Sequence, residues 1–291
     1  MPARRLLLAA CIAVMLEGAC LGLGEWDWPD RQSGSAGRGG HRRGSGRLHR
    51  GGIGLRDGRV SRSCGAARRG GPASNAHNFQ LNSQIMDCRS AVEVCKLIVA
   101  RAAEFNDVNV ATALRTVLQS RHDGVPRQLV EQALHALEAA ALEMIDAFEA
   151  QQVASTLHIM AKTEYCPWDP SLVPALEVRA EALAGTFNAQ NVANTLWAYA
   201  KMERDPGAGL MRVLEGRAEA LAGTFTAQDV ANTLWAYAKM EREPGGGLTR
   251  VLEGRAEAMA GTFNAQGVAN TLWAYATMGR EPGAGLMRPK S

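Results

Sequence analysis

The fold of this chain is decided by the stretch Phe187-Asn-Ala-Gln-Asn-Val-Ala-Asn-Thr-Leu-Trp-Ala-Tyr-Ala-Lys-Met202. Nearly the same residues recur from Phe225 and again from Phe263, so the period is 38 residues. Two weaker copies begin upstream, at Phe148 and Phe105. Self-similarity at a fixed period of this size is typical of repeat proteins, in which each repeat is one supersecondary unit. The sequence therefore predicts an array of about five units, the first two of them degenerate.

Each unit begins with the pattern of an amphipathic helix. Asn188 has the residue type of an N-cap, and Thr226 and Asn264 occupy the same position in the next copies. Val192, Leu196 and Tyr199 then recur at i, i+4 and i+7, which places them on one helix face. The first helix of the unit is therefore predicted to bury this face.

A second helix is predicted to follow in every unit. Pro206 and Gly207 break the chain, and an apolar pattern resumes from about Leu210 and ends near Gly223. Two helices of this length cannot bury their apolar faces alone, but stacked copies can. The predicted fold is all-α, an α-solenoid of two-helix repeats over residues 79–291. Degenerate units are expected at 79–147 and clear units at 148–186, 187–224, 225–262 and 263–291, the last one truncated.

The N-terminal part has the composition of a targeting sequence. Residues 1–24 combine Arg4 and Arg5 with an apolar run and then small residues, as in a signal peptide. Residues 25–78 are rich in Arg, Gly and Ser and are predicted to be a disordered transit-like region. Together they predict delivery to a plastid inside extra membranes, with mitochondrial import, plain secretion and an upstream error in the gene model as alternatives. No later segment is long enough to span a bilayer, so the mature form is expected to be free of the membrane.

Charge divides the chain at residue 75. The whole chain has 32 Lys and Arg against 29 Asp and Glu, but 13 Arg and only 5 acids precede residue 76. The remaining 19 basic and 24 acidic residues give the array a net charge of −5. Bulk charge thus excludes a strongly basic nucleic-acid-binding domain for the array, although the Arg-Gly-Gly triplets of the N-terminal part are also compatible with an RNA-binding arm.

Enzyme signatures are missing from the sequence. It contains no phosphate-binding loop, no nucleophile elbow, no His-Glu-x-x-His and no dinucleotide fingerprint after a strand. Of the cysteines, Cys88, Cys95 and Cys166 fall in the array, without the spacing of a metal site. We expect no catalytic residue, no cofactor and no metal.

The repeat resembles a known family. Its period and the run Phe-Asn-Ala-Gln-x-Val-Ala-Asn-Thr-Leu-Trp-Ala-Tyr-Ala-Lys are similar to the octotricopeptide repeat of algal organelle proteins. Similar repeats occur in chloroplast translation factors, in proteins that end in a RAP domain, and in a subunit of the RNA-editing substrate-binding complex. The resemblance covers about residues 105–288. It implies a non-catalytic protein that binds single-stranded organellar RNA, acts in RNA processing, stability, editing or translation, and works with other proteins of such a complex.

Two positions of the first helix are candidates for contact with RNA bases. The fifth residue of the motif is Asn191, Asp229 or Gly267, so it differs between the three copies, and it is predicted to lie exposed at N3, the third position of the helix. The eighth residue of the motif lies three positions further along, on the same side of the helix. Lys201 and Lys239 are candidates for phosphate contact. An equally good explanation is that N3 is polar because it caps the helix. The complete predicted set is Asn191, Asn194, Lys201, Asp229, Asn232, Lys239, Gly267 and Asn270.

The tryptophans of the motif have two interpretations. Trp197, Trp235 and Trp273 could stack on bases, but their Ala neighbours favour packing between units. The alternative function is a protein-interaction scaffold, because stacked helix pairs commonly bind proteins and the array is acidic.

Overall fold

The computed structural model describes residues 72–120 and 124–283, so the predicted signal and the transit-like region up to residue 71 lie outside the described residues. Eleven α-helices and no strand are found in these ranges, which confirms the all-α prediction. The helices are α1 Pro72–Asp87, α2 Ala91–Arg101, α3 Asp107–Gln119, α4 Arg127–Glu143, α5 Ala150–Lys162, α6 Leu172–Leu183, α7 Ala189–Lys201, α8 Ala208–Leu221, α9 Ala227–Lys239, α10 Gly246–Ala258 and α11 Ala265–Thr277. Short 3₁₀ turns follow α2, α4, α6, α8 and α10.

The helices form two layers. The odd-numbered helices contact one another in chain order and make up the first-helix layer, and the even-numbered helices do the same in the second-helix layer. Neighbours from α5 to α11 approach more closely in the first layer than their counterparts do in the second.

The predicted helix starts are present. Asn188 Oδ1 accepts a hydrogen bond from Asn191 N at 2.8 Å, and Thr226 and Asn264 cap α9 and α11 in the same way. Ser90 Oγ caps α2 by accepting a hydrogen bond from Glu93 N at 3.3 Å. Phe187 and Phe225, which precede two of these caps, are fully buried. Local capping and the burial of one large aromatic therefore fix the entry to these units.

Three glutamates join consecutive units through the second-helix layer. We call Glu138, Glu177 and Glu215 the capping glutamates, because each accepts a hydrogen bond from a backbone N–H where the second helix of the next unit begins. Glu177 accepts from Gly207 N at 2.7 Å and from the Tyr199 hydroxyl at 3.2 Å. A carboxylate at a helix N-terminus satisfies orphan donors and opposes the helix dipole.

Two glycines of α8 are expected to respond differently when each is replaced by alanine. A Cβ added at Gly216 would meet no atom within 4 Å, whereas one at Gly209 would lie 2.5 Å from Glu181 Oε1. Gly216→Ala is expected to raise the free energy of unfolding by about 0.5–1 kcal/mol, since glycine inside a helix is unfavourable. Gly209→Ala must displace the Glu181 carboxylate, and we expect no gain. Urea unfolding followed by circular dichroism measures both, and a stabilised Gly209→Ala would contradict the packing argument.

Candidate nucleic-acid interface

The least buried face of α7 carries four chemically distinct side chains. Gln190 is exposed, and Asn194, Trp197 and Lys201 are half-buried. Their spacing of four, three and four residues places them in one narrow stripe along the helix. The opposite face, which includes Val192, is in the core. We call these four positions the open stripe.

The open stripe recurs in neighbouring units, so its positions form columns that run across the first-helix layer. The columns are Gln151, Gln190, Gln228 and Gln266; Ser155, Asn194, Asn232 and Asn270; His158, Trp197, Trp235 and Trp273; and Lys162, Lys201, Lys239 and Thr277. The glutamine column was not among the predicted site residues. Its signal was present, because the fourth residue of the motif lies on the helix side opposite Val192 and Tyr199.

The aromatic column is continuous. The ring centroids of Trp197 and Trp235 are 6.1 Å apart, and those of Trp235 and Trp273 are 6.4 Å apart, with planes tilted by 32° and 34°. His158 extends the column at 5.0 Å from Trp197. The tryptophans therefore contact their equivalents in neighbouring units, as the packing interpretation predicted. They are only half-buried, so part of each tryptophan side chain remains accessible to solvent.

The lysine column is paired with acidic residues of the preceding unit. Lys201 Nζ lies 2.9 Å from Glu164 Oε1, and Lys239 Nζ lies 2.8 Å from Glu203 Oε1. The hydrogen bond from Lys239 lowers the pKa of the Glu203 carboxyl. Glu164 and Glu203 are themselves in the left-handed conformation that ends the first helix, with φ of 54° and 53°. Exposed pairs of this kind contribute little to stability, so the lysines can exchange partners at low cost.

The predicted exposure of the N3 residues is wrong. Asn191 and Asp229 are only 8% and 4% exposed, and Gly267 is buried as well. A Cβ at Gly267 would contact Ala231 of the preceding first helix, which shows that N3 faces the neighbouring unit and not solvent. Burial raises the pKa of Asp229, although its bonds to Thr226 act against this. The capping explanation accounts for the polar residue at this position, and no observation here tests contact with RNA.

The asparagine column lies beneath the glutamines, and only some of its side-chain amides have hydrogen-bond partners. Gln266 Nε2 donates to Asn270 Oδ1 at 3.2 Å. Asn232 is 1% exposed, and neither of its amide atoms has a hydrogen-bond partner among the described residues. Leaving a buried amide unpaired costs about 1–3 kcal/mol. The layer thus keeps hydrogen-bonding capacity that it does not use internally.

His158 gives the aromatic column a measurable pH dependence. Burial, and then the nearby charges of Lys162 and Arg115, lower its pKa from 6.5 to about 4. The folded state therefore keeps His158 neutral where the unfolded state is protonated, so stability falls as the pH drops below about 6.5. We expect the free energy of unfolding to fall by about 1–2 kcal/mol more between pH 7 and pH 5 in the wild type than in His158→Trp. Parallel urea unfolding at the two pH values tests this, and equal pH dependence would contradict it.

Within 72–120 and 124–283, no group of three or more His, Cys, Asp or Glu side chains is placed to hold a metal ion. No helix in the same ranges is both long and apolar enough to cross a bilayer.

Comparison with known proteins relates this architecture to RNA editing. The family model described as RNA-editing substrate-binding complex 6 protein matches residues 85–281, which covers the helices from α2 to α11. No curated protein matches the chain. Because the family model spans about two thirds of the sequence, including all three near-identical units, the chain belongs to the RNA-editing substrate-binding complex 6 protein family.

Proposed function

We propose that this protein is a non-catalytic subunit that binds single-stranded RNA within an organellar RNA-editing or related RNA-processing complex. The family name supports membership of such a complex. The resemblance of the motif to octotricopeptide repeats supports RNA as the ligand, and the N-terminal composition supports a plastid, with the mitochondrion as the alternative. Other proteins of the complex are the expected partners.

The observation that carries this proposal is the aromatic column between two columns of polar side chains. Half-buried tryptophan rings can stack on bases, the amides of the Gln column and of Asn194 can pair with base edges, and the lysines can neutralise phosphates. Asn194, Lys201 and Lys239 of the predicted set lie on this surface, whereas Asn232 and Asn270 are buried beneath it. Asn191, Asp229 and Gly267 would act on RNA only indirectly, through the packing of neighbouring first helices.

The expected affinity of the array alone is modest. At about 2 kcal/mol for each stacked base, three tryptophans supply roughly 6 kcal/mol, which corresponds to a Kd of tens of micromolar. The net charge of −5 gives no long-range attraction for RNA. Tight binding therefore requires a further contribution, from the Arg-rich N-terminal part or from a partner protein.

Titration of the full chain with single-stranded RNA at two salt concentrations tests the proposal. In the double variant Lys201→Gln, Lys239→Gln, we expect the slope of log K against log salt to fall by about 1.4, because each phosphate contact on a single strand contributes about 0.7. Arg212→Gln with Arg250→Gln removes the same charge from exposed positions of the second-helix layer and is the matched control. Equal slopes in the two variants would contradict binding at the open stripe.

A protein-interaction scaffold is the second candidate, and one surface favours it. Trp168, in the loop before α6, is 46% exposed and stacks on His135 of α4 with ring centroids 4.4 Å apart, and Val178 of α6 is 71% exposed. Exposed aromatic and apolar side chains are typical of contacts with other proteins. The same titration separates the two functions, since a scaffold predicts that variants of the open stripe leave RNA binding unchanged at both salt concentrations.

A further inference from the structure

Three consecutive units repeat the same residues along the open stripe. Gln, Asn and Trp occupy the upper three columns in units 187–224, 225–262 and from 263 onward, without one substitution among nine positions. The Gln and Trp side chains are at least partly accessible, whereas Asn232 and Asn270 are buried beneath them. Within the first helix and its cap, the three copies differ only at the N-cap, at N3 and at the last position of the stripe. A strand that follows these columns therefore meets one chemical environment three times in succession.

We propose that this surface recognises a run of identical nucleotides, and that the run consists of adenines, one for each of the three near-identical units. The inference rests on the proposed function, because it names the RNA that the open stripe binds. A surface that reads a mixed sequence needs different side chains in successive units, as in repeat proteins that read one base per repeat with two or three residues.

The spacing of the aromatic column fits one nucleotide per unit. Adjacent tryptophan centroids are separated by 6.1 Å and 6.4 Å. A stacked strand advances only about 3.4 Å per nucleotide, so at one nucleotide per unit it would fall about 3 Å short of the next tryptophan. An unstacked strand can extend to nearly twice that rise and place successive bases against successive tryptophans. The ligand class is therefore an extended single strand.

The amides select the base. An Asn or Gln side chain offers a donor and an acceptor side by side, and the recurrent partner of that pair is adenine, through its N6 amino group and N7. Gln190 and Gln266 are exposed and Gln228 is half-exposed, so these three amides can meet a base, whereas the Asn232 amide is buried beneath them. Stacking on tryptophan also favours the larger purine ring.

The series of three identical sites ends at the preceding unit, 148–186. There, the Asn position is Ser155 and the Trp position is His158, and burial keeps His158 neutral. This unit keeps Gln151, but a hydroxyl lacks the paired donor and acceptor of an amide and an imidazole offers a smaller ring than an indole, so the unit does not repeat the complete adenine site. The expected recognition element is thus three consecutive adenines with a different nucleotide next to one end.

Two oligonucleotides of identical length and composition test this on the full chain. Both are oligocytidines with three adenines, consecutive in one and separated from each other by two cytidines in the second. Backbone charge is the same, so the Arg-rich N-terminal part and the lysines contribute equally to both. We expect the consecutive adenines to bind at least about tenfold tighter in fluorescence anisotropy, because spaced adenines cannot occupy neighbouring units together and each base–amide pair discriminates by about that factor or more.

A triple variant assigns the preference to the amides. Gln190→Met, Gln228→Met and Gln266→Met remove the accessible amides without changing charge, and we expect the ratio of affinities to fall to near one. Gln132→Met, at an exposed position of the second-helix layer, should leave the ratio unchanged.

Each of the other possible results contradicts a specific part of this inference. Equal affinity for the two oligonucleotides overturns the adenine run and leaves RNA binding standing. A preference that survives the triple variant overturns the role of the amides, and a stronger preference for consecutive uridines in the same design overturns the choice of base. Failure to bind either oligonucleotide overturns both this inference and the proposed function.

Discussion

Glu138→Ala is expected to lower the free energy of unfolding by about 2–4 kcal/mol, because it removes the buried acceptor of three partly buried donors at once. The Glu138 carboxylate is 2% exposed and accepts hydrogen bonds from the Tyr165 hydroxyl at 2.5 Å, from Trp168 N at 3.1 Å and from Asp169 N at 3.0 Å. Burial, and then this contact, raise the pKa of Tyr165 above its usual value. Truncation would leave all three donors without an acceptor.

A neighbouring glutamate provides the control. Glu131 lies on the same helix, two turns earlier, and pairs with Arg127 at the surface, where the Arg127 side chain is 91% exposed. Glu131→Ala should change stability by no more than about 0.5 kcal/mol, as is usual for an exposed i, i+4 pair. Urea unfolding monitored by circular dichroism compares the two variants. Similar losses in both would show that Glu138 is not the main link between α4 and the start of α6.

The features that could be predicted from the sequence are those that depend only on residues within one unit. Asn188 identified the start of α7, and the spacing of Val192, Leu196 and Tyr199 identified its buried face, because capping and helical periodicity depend on residues fewer than a dozen positions apart. Repetition of this pattern then implied stacking, since a single unit cannot bury its own apolar faces. The two-layer fold follows from these two local rules.

The candidate site was predicted only in part, because exposure depends on the neighbouring unit. Asn191 and Asn194 are both polar and only three residues apart, yet α5 covers the first and leaves the second half-open. Which of these two residues is exposed depends on how the neighbouring units are stacked, and the sequence pattern of one helix does not contain that arrangement. The capping glutamates escaped prediction for the same reason: Glu177 reads as an ordinary surface residue until Gly207, 30 residues later, is seen to donate to it.

Phe225→Ala is expected to cost about 3–5 kcal/mol of stability, and Phe263→Ala clearly less, although the two residues hold the same position in near-identical motifs. Phe225 is fully buried, at the junction of its own first helix with the second helices on either side, and its carbonyl accepts a hydrogen bond from Arg255 Nε at 2.8 Å. Phe263 is only half-buried among the described residues. The difference between the variants therefore measures what packing against the following second helix, α10 in the case of Phe225, adds to an identical side chain. Urea midpoints for the two variants, taken with the wild type, give that difference directly. Equal losses would mean that the second helix adds nothing to the burial of this phenylalanine, and the argument that the two layers stabilise each other would fail with it.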